Sequence, residues 1–107
     1  MTGKPLSAYR RRVDRNRADI VETFTRMGCR VVSLERLGEG VPDFLIGDAY
    51  GSHGWPVCYL VKLKNGPRAK LTPTETKWRA EWPGPYEIVR DPLEVPPLVL
   101  RYRRIDR

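Results

Sequence analysis

The chain has 107 residues, 40% hydrophobic and 31% charged, with a net charge of +7. That length and balance support one soluble globular domain with a modest core. No apolar run approaches the roughly 18 residues of a membrane span, and the basic opening "MTGKPLSAYRRRVDRNR" lacks the apolar segment of a secretion signal. A cytoplasmic location with no membrane partner is therefore expected.

In chain order, residues 1–12 read as a basic arm and 13–107 as the domain. Val13, Ile20, Phe24 and Met27 recur at helical spacing and predict a helix over about 15–28, stopped by Gly28. "CRVVSLE" (29–35) is rich in β-branched residues and reads as a strand. "GEG" turns the chain, and "PDFLIGDA" (42–49) and "VCYLVKLK" (57–64) read as two strands of a hairpin. His53 falls in the turn between them, where a solvated role is expected.

In "LTPTETKWRAEWPG", Thr72 is placed to cap a helix, Pro73 takes its first position, and Glu75 completes a T-x-x-E capping box. Trp78 and Trp82 share a face and are expected to pack on the sheet; Pro83 and Gly84 end the helix. "YEIVRD" (86–91) reads as a fourth strand, "PLEVPP" as a stiff connector and "LVLRYR" as a fifth, edge strand. The order is α-β-β-β-α-β, an α/β domain. Cys29 and Cys58 are too few for a disulfide scaffold, hold no metal-ligand spacing, and are expected as buried thiols.

The positive charge lies at the two ends. Residues 1–17 carry six cations against Asp14, residues 98–107 carry four against Asp106, and the 80 residues between them total −1. Such ends suit a polyanion, whose phosphates draw lysine and arginine; a pair of solvating tails is the alternative. On the first reading Arg10, Arg11, Arg12, Arg15, Arg17 and Lys70 are the candidate DNA contacts. No helix-turn-helix pattern points to a transcriptional regulator.

Alternation along the third strand puts Val57, Tyr59, Val61 and Leu63 on one face and Cys58, Leu60, Lys62 and Lys64 on the other. An unpaired charge costs several kcal/mol to bury, so the strand's end should open into a polar site. In a hairpin, Asp43 approaches both lysines there.

"GVPDFLIG", a strand ending in a lysine followed by "NG", then "LTPTE…W" and "YEIV", resemble a stand-alone VRR-NUC domain of the PD-(D/E)xK nuclease superfamily. The likeness covers roughly Asp14 to Asp91. It implies a single restriction-endonuclease-like domain with a mixed central sheet, and a structure-selective DNA endonuclease similar to Holliday-junction resolvases. Such proteins are frequent in bacteriophages, and a homodimer acting on branched DNA is expected. The resemblance makes Asp43 the central ligand of Mg²⁺ or Mn²⁺, Asp19 an acidic contribution from the first helix, and Lys64 the catalytic lysine. The residue between the two lysines, Leu63, joins Asp43 and Asp19 in the implied metal set. Such chemistry needs a hard cation on oxygen ligands, which polarises the phosphate and activates water.

One position departs from the pattern. Where the family carries an acid two residues before the lysine, this chain has Lys62, so acid-x-Lys becomes "KLK". A like charge about 4 Å from a cation costs roughly 4 kcal/mol at an effective dielectric of 20, so metal binding should be much weakened. Lysine arises from a glutamate codon by one base change, either introduced as an inactivating substitution or fixed as a natural loss of catalysis. The expectation is that Lys62 pairs with Asp43 and occupies the space of the metal. Two functions follow from it: a catalytically impaired endonuclease, or a non-catalytic DNA-binding protein on a nuclease fold, with the old site as a phosphate cradle.

Overall fold

The computed structural model describes residues 3–104. Ile20 and Phe24 are fully buried on the inner face of helix α1 (Gly3–Arg26), with Val13 half-buried about two turns further back. This helix starts twelve residues before the expected position, so residues 3–12, read as a basic arm, are helical and continuous with it; residues 1–2 and 105–107 lie outside the described range. Its end is a Schellman turn: the Cys29 amide donates to the Phe24 carbonyl (3.0 Å) and the Gly28 amide to that of Thr25 (2.9 Å). Gly28 has φ +88°, the left-handed conformation that the motif requires and glycine adopts without strain.

Four strands follow in a single mixed sheet of order β1-β2-β3-β4. Strand β1 (Arg30–Ser33) pairs antiparallel with β2 (Phe44–Asp48), and β2 antiparallel with β3 (Val57–Leu63). The expected hairpin thus exists, with Phe44 opposite Val61 and Asp48 opposite Val57. Exposed His53 lies in its connection, at φ +60°. Helix α2 (Pro73–Glu81) then carries the chain to β4 (Tyr86–Val89), which lies parallel to β3. A parallel neighbour requires such a crossover.

The capping box forms as the sequence predicts: the Thr72 hydroxyl accepts from the Glu75 amide (3.2 Å), and the Glu75 carboxylate accepts from the Thr72 amide (2.8 Å). Trp78 and Trp82 stack with centroids 5.5 Å apart, and Trp78 leans on Tyr86 of β4.

The expected fifth strand is a helix, α3 (Val95–Arg103). Asp91 accepts from the Leu93 amide, and Pro92 opens a short 3-10 turn that feeds α3. Pro96 and Pro97 fall in the first turn of α3, where the missing amide hydrogens are not needed. Val95, Leu98 and Val99 are buried, with Tyr102 packed beside them. That spacing is helical, and it overrides the β-like composition of "LVLRYR".

Helices α1 and α3 cover one face of the sheet and enclose the core with Phe44, Ile46, Tyr59, Val61 and Val89. The other face carries α2. Cys29 is in the core as expected, where burial pushes its thiol pKa up, but Cys58 is exposed. It sits on the α2-side face of β3, opposite Gly47. Among the described residues, no helix is long and apolar enough to cross a membrane.

A charge clasp locks α3 to the rest of the fold. Arg103 donates through Nε to Asp48 Oδ2 (2.8 Å), and through Nη2 to Asp48 Oδ1 (3.1 Å) and the Met27 carbonyl (2.5 Å). The Asp48 side chain is fully buried. Burial alone would raise its pKa; the Arg103 bonds and the Tyr50 amide outweigh that and lower it.

Candidate functional site

The end of β3 brings charge to the sheet face beneath α2. Lys62 and Lys64 share that face, as alternation predicts, and both side chains are mostly buried. Their shared counter-ion is Glu75: Lys62 Nζ lies 2.9 Å from Glu75 Oε2, and Lys64 Nζ 2.5 Å from Glu75 Oε1. Glu75 therefore does two jobs, closing the capping box and neutralising the strand end. From the sequence, the capping box explains Glu75 best, and the order of elements places it near the site. The signal for the second was the position of T-x-x-E, at the start of the helix that leads away from the lysine-bearing strand.

Asp43 precedes β2, where its amide donates to the Val61 carbonyl (2.9 Å). Its carboxylate accepts from the Leu63 amide through Oδ2 (2.7 Å) and from Arg17 Nη1 through Oδ1 (3.1 Å). Lys62 Nζ stands 3.7 Å from Asp43 Oδ2 and 3.5 Å from the Val41 carbonyl. The ammonium of Lys62 is thus surrounded by oxygens of Asp43, Glu75 and Val41.

Arg17, expected as a DNA contact, is instead held inside this cluster. It bonds Asp43, approaches Glu35 (3.3 Å) and stacks over the Phe44 ring at 4.5 Å. Its spacing from Val13, Ile20 and Phe24 puts it on the inner face of α1 and was the available signal. Asp19, expected to reach the metal from the same helix, is exposed; its backbone carbonyl accepts from Thr23 (2.7 Å). Helix α1 therefore delivers a cation to Asp43 where an acid was expected. Leu63, placed in the implied metal set, offers Asp43 an N–H donor through its backbone. Arg10, Arg11, Arg12, Arg15 and Lys70 are all exposed.

Three carboxylates (Asp43, Glu75, Glu35) and three cations (Arg17, Lys62, Lys64) balance to zero in this cluster. Mg²⁺ and Mn²⁺ need a set of oxygen ligands turned towards one point. Here the Lys62 ammonium stands between the two central carboxylates, so the residues present do not fit the metal that the nuclease resemblance implies. Among the described residues no group of three or more His, Cys, Asp or Glu side chains converges on a possible metal position.

Beside the cluster lies a cleft of about 450 Å³ whose walls carry Glu35, Glu39, Asp43 and Glu75 against Lys62 alone. Arg17, Lys62 and Lys64 answer Glu35, Asp43 and Glu75, which leaves Glu39 as the lining carboxylate outside an ion pair among the described residues and gives the cleft a small negative excess. Gly40 closes one wall at φ +81°, tight against Thr74 at the start of α2.

Burial pushes the Glu75 pKa up, but hydrogen bonds from Lys64, Lys62 and the Thr72 amide more than offset it, and the carboxyl is held at about 2, below its ordinary 4.5. A carboxyl depressed on folding stabilises the protein above its unfolded value and loses that contribution as pH falls through the folded one. Thermal midpoints should therefore drop as pH falls from 4.5 towards 2. Glu75→Gln should flatten that limb of the curve; an unchanged slope in the variant would assign the acid loss to other groups.

No family model, curated protein or solved structure matches this chain.

Proposed function

We propose that this chain is a DNA-binding domain on a PD-(D/E)xK-type nuclease scaffold, in which Lys62 stands in for the divalent cation and catalysis is lost. The observation that carries this reading is the Lys62 ammonium, 2.9 Å from Glu75 and 3.7 Å from Asp43. A cation bound through oxygens is what such a site would hold, and a lysine supplies the charge without the Lewis acidity that hydrolysis needs.

The arrangement of elements supports the scaffold. A β-hairpin begins beside Asp43 and ends at Lys62 and Lys64, and a capped helix crosses to a parallel fourth strand. The exposed arginines of α1 supply positive charge for a DNA backbone, away from the acidic cleft. Branched DNA as partner and a two-fold dimer follow from the resemblance to junction-resolving nucleases.

The test uses labelled four-way junction, nicked duplex and single-stranded DNA with Mg²⁺ or Mn²⁺. The chain as it stands should bind at least one substrate and cut none, and Lys62→Glu should cut. Metal-dependent cutting by the unaltered chain would overturn the proposal, as would a failure to bind any of the three. Binding without cutting by both proteins would leave the DNA-binding half standing and remove the claim that one reversed charge disables the site.

A further inference from the structure

A second cavity, of about 400 Å³, lies between α1 and the loop after β3, one residue beyond Lys64. Its character is opposite to that of the acidic cleft. Arg12 and Arg90 face Asp91, so the walls carry a net positive charge, and neither arginine makes an ion pair among the described residues. The Arg90 guanidinium is held by the carbonyls of Gly66 (2.9 Å) and Ala69 (2.5 Å), which fix its position and leave its charge unneutralised.

Two amides meet at the floor. Asn16 donates through Nδ2 to Asn65 Oδ1 (3.0 Å) and to the Arg90 carbonyl (3.1 Å). Both hydrogens of the Asn16 amide are thereby used. Its own carbonyl oxygen and the Asn65 Nδ2 remain without a protein partner among the described residues, and both side chains line the cavity. One free acceptor beside one free donor matches the edge of a nucleobase. At the rim, Tyr9 presents a ring that is 52% exposed, a surface on which a base stacks regardless of its identity.

We propose that this groove receives one unpaired nucleotide of bound DNA, the base stacked on Tyr9 and read by the Asn16–Asn65 pair, with its phosphate near Arg12 and Arg90. In a duplex the Watson–Crick edges are already paired and the faces stacked, so the groove takes only a nucleotide released from the helix, as at a branch point or a strand end. This inference rests on the DNA-binding reading above and adds to it the feature of the DNA that is recognised.

The experiment measures affinities of the full chain for a single-stranded oligonucleotide and for the blunt duplex of the same length, at one salt concentration. A 2-aminopurine in the strand serves as a stacking probe. The unaltered chain should favour the single strand and quench the probe. Tyr9→Ala should lower the single-strand to duplex affinity ratio about tenfold and restore the fluorescence, since a stacked base contributes on that order. Asn65→Ala should lower the same ratio independently of the aromatic ring. Equal ratios in the unaltered chain and both variants, with DNA still bound, would overturn the groove and leave the broader reading intact. Failure of the unaltered chain to bind either DNA would overturn both.

Discussion

Replacing Arg103 with alanine is expected to lower the free energy of unfolding by about 3–5 kcal/mol, the usual consequence of removing one partner from a buried ion pair. The Asp48 side chain is fully buried, and Arg103 supplies it with two charge-assisted hydrogen bonds. After truncation the carboxylate keeps the Tyr50 amide at 3.0 Å but loses its counter-ion. The same guanidinium donates to the Met27 carbonyl, so its loss also unties the end of α1 from the end of α3. A domain of this size has about 5–15 kcal/mol in total, which makes the loss a large fraction. Urea denaturation measures it. Adding Asp48→Asn to the variant should recover part of the loss, because the stranded charge is then gone; a loss below about 1 kcal/mol would mean water reaches Asp48 and the clasp is ornamental.

Lys62→Glu should turn the chain into a protein whose stability depends on divalent metal. At present the cluster is neutral, and Lys62 is the cation that separates Asp43 from Glu75. Reversing its charge gives the cluster a net −2 and adds a third carboxylate at the same point. Each new like-charge pair at about 4 Å costs roughly 4 kcal/mol at an effective dielectric of 20, less where solvent reaches Asp43. In EDTA the variant should therefore melt well below the unaltered chain, and Mg²⁺ or Mn²⁺ should restore much of the difference. Metal at a hundred times its dissociation constant contributes about 2.7 kcal/mol, or roughly 10–20 °C in a domain of this size. The unaltered chain should show no metal-dependent shift. A shift of equal size in both proteins would place the metal somewhere other than between Asp43 and Glu75.

Much of the scaffold was legible because local signals and tertiary demands agree there. T-P-T-E specifies α2 through backbone capping, and the β-branched runs on either side of "YGSHGWP" specify the hairpin, without help from distant residues. Strand β4 was legible for the same reason. The C-terminal segment was misread because Val99, Leu100 and Tyr102 have strand-like composition, while the decisive feature is the 95, 98, 99, 102 spacing that faces the core. The early start of α1 had no apolar periodicity to announce it: residues 3–12, "GKPLSAYRRR", are mainly polar or basic.

At the site, the approach of Asp43 to Lys62 was readable from strand pairing alone, and the distance of 3.7 Å agrees with it. The stronger partner, Glu75, was not, because its tie to the lysines depends on how a crossover helix settles over the sheet. The exchange of Asp19 for Arg17 turned on a similar matter. Two residues along a helix amount to about 200° of rotation, and which of them looks inward depends on where the sheet lies.

The double role of Glu75 has a consequence for how this sequence can change over time. One carboxylate begins a helix and also answers two lysines, so positions 62, 64, 72 and 75 are physically coupled. A substitution at any one of them alone strands a charge or frays the first turn of α2. Passage between a lysine-filled site and a metal-filled one therefore changes the charge that Glu75 answers, while its capping bonds with Thr72 stay in place.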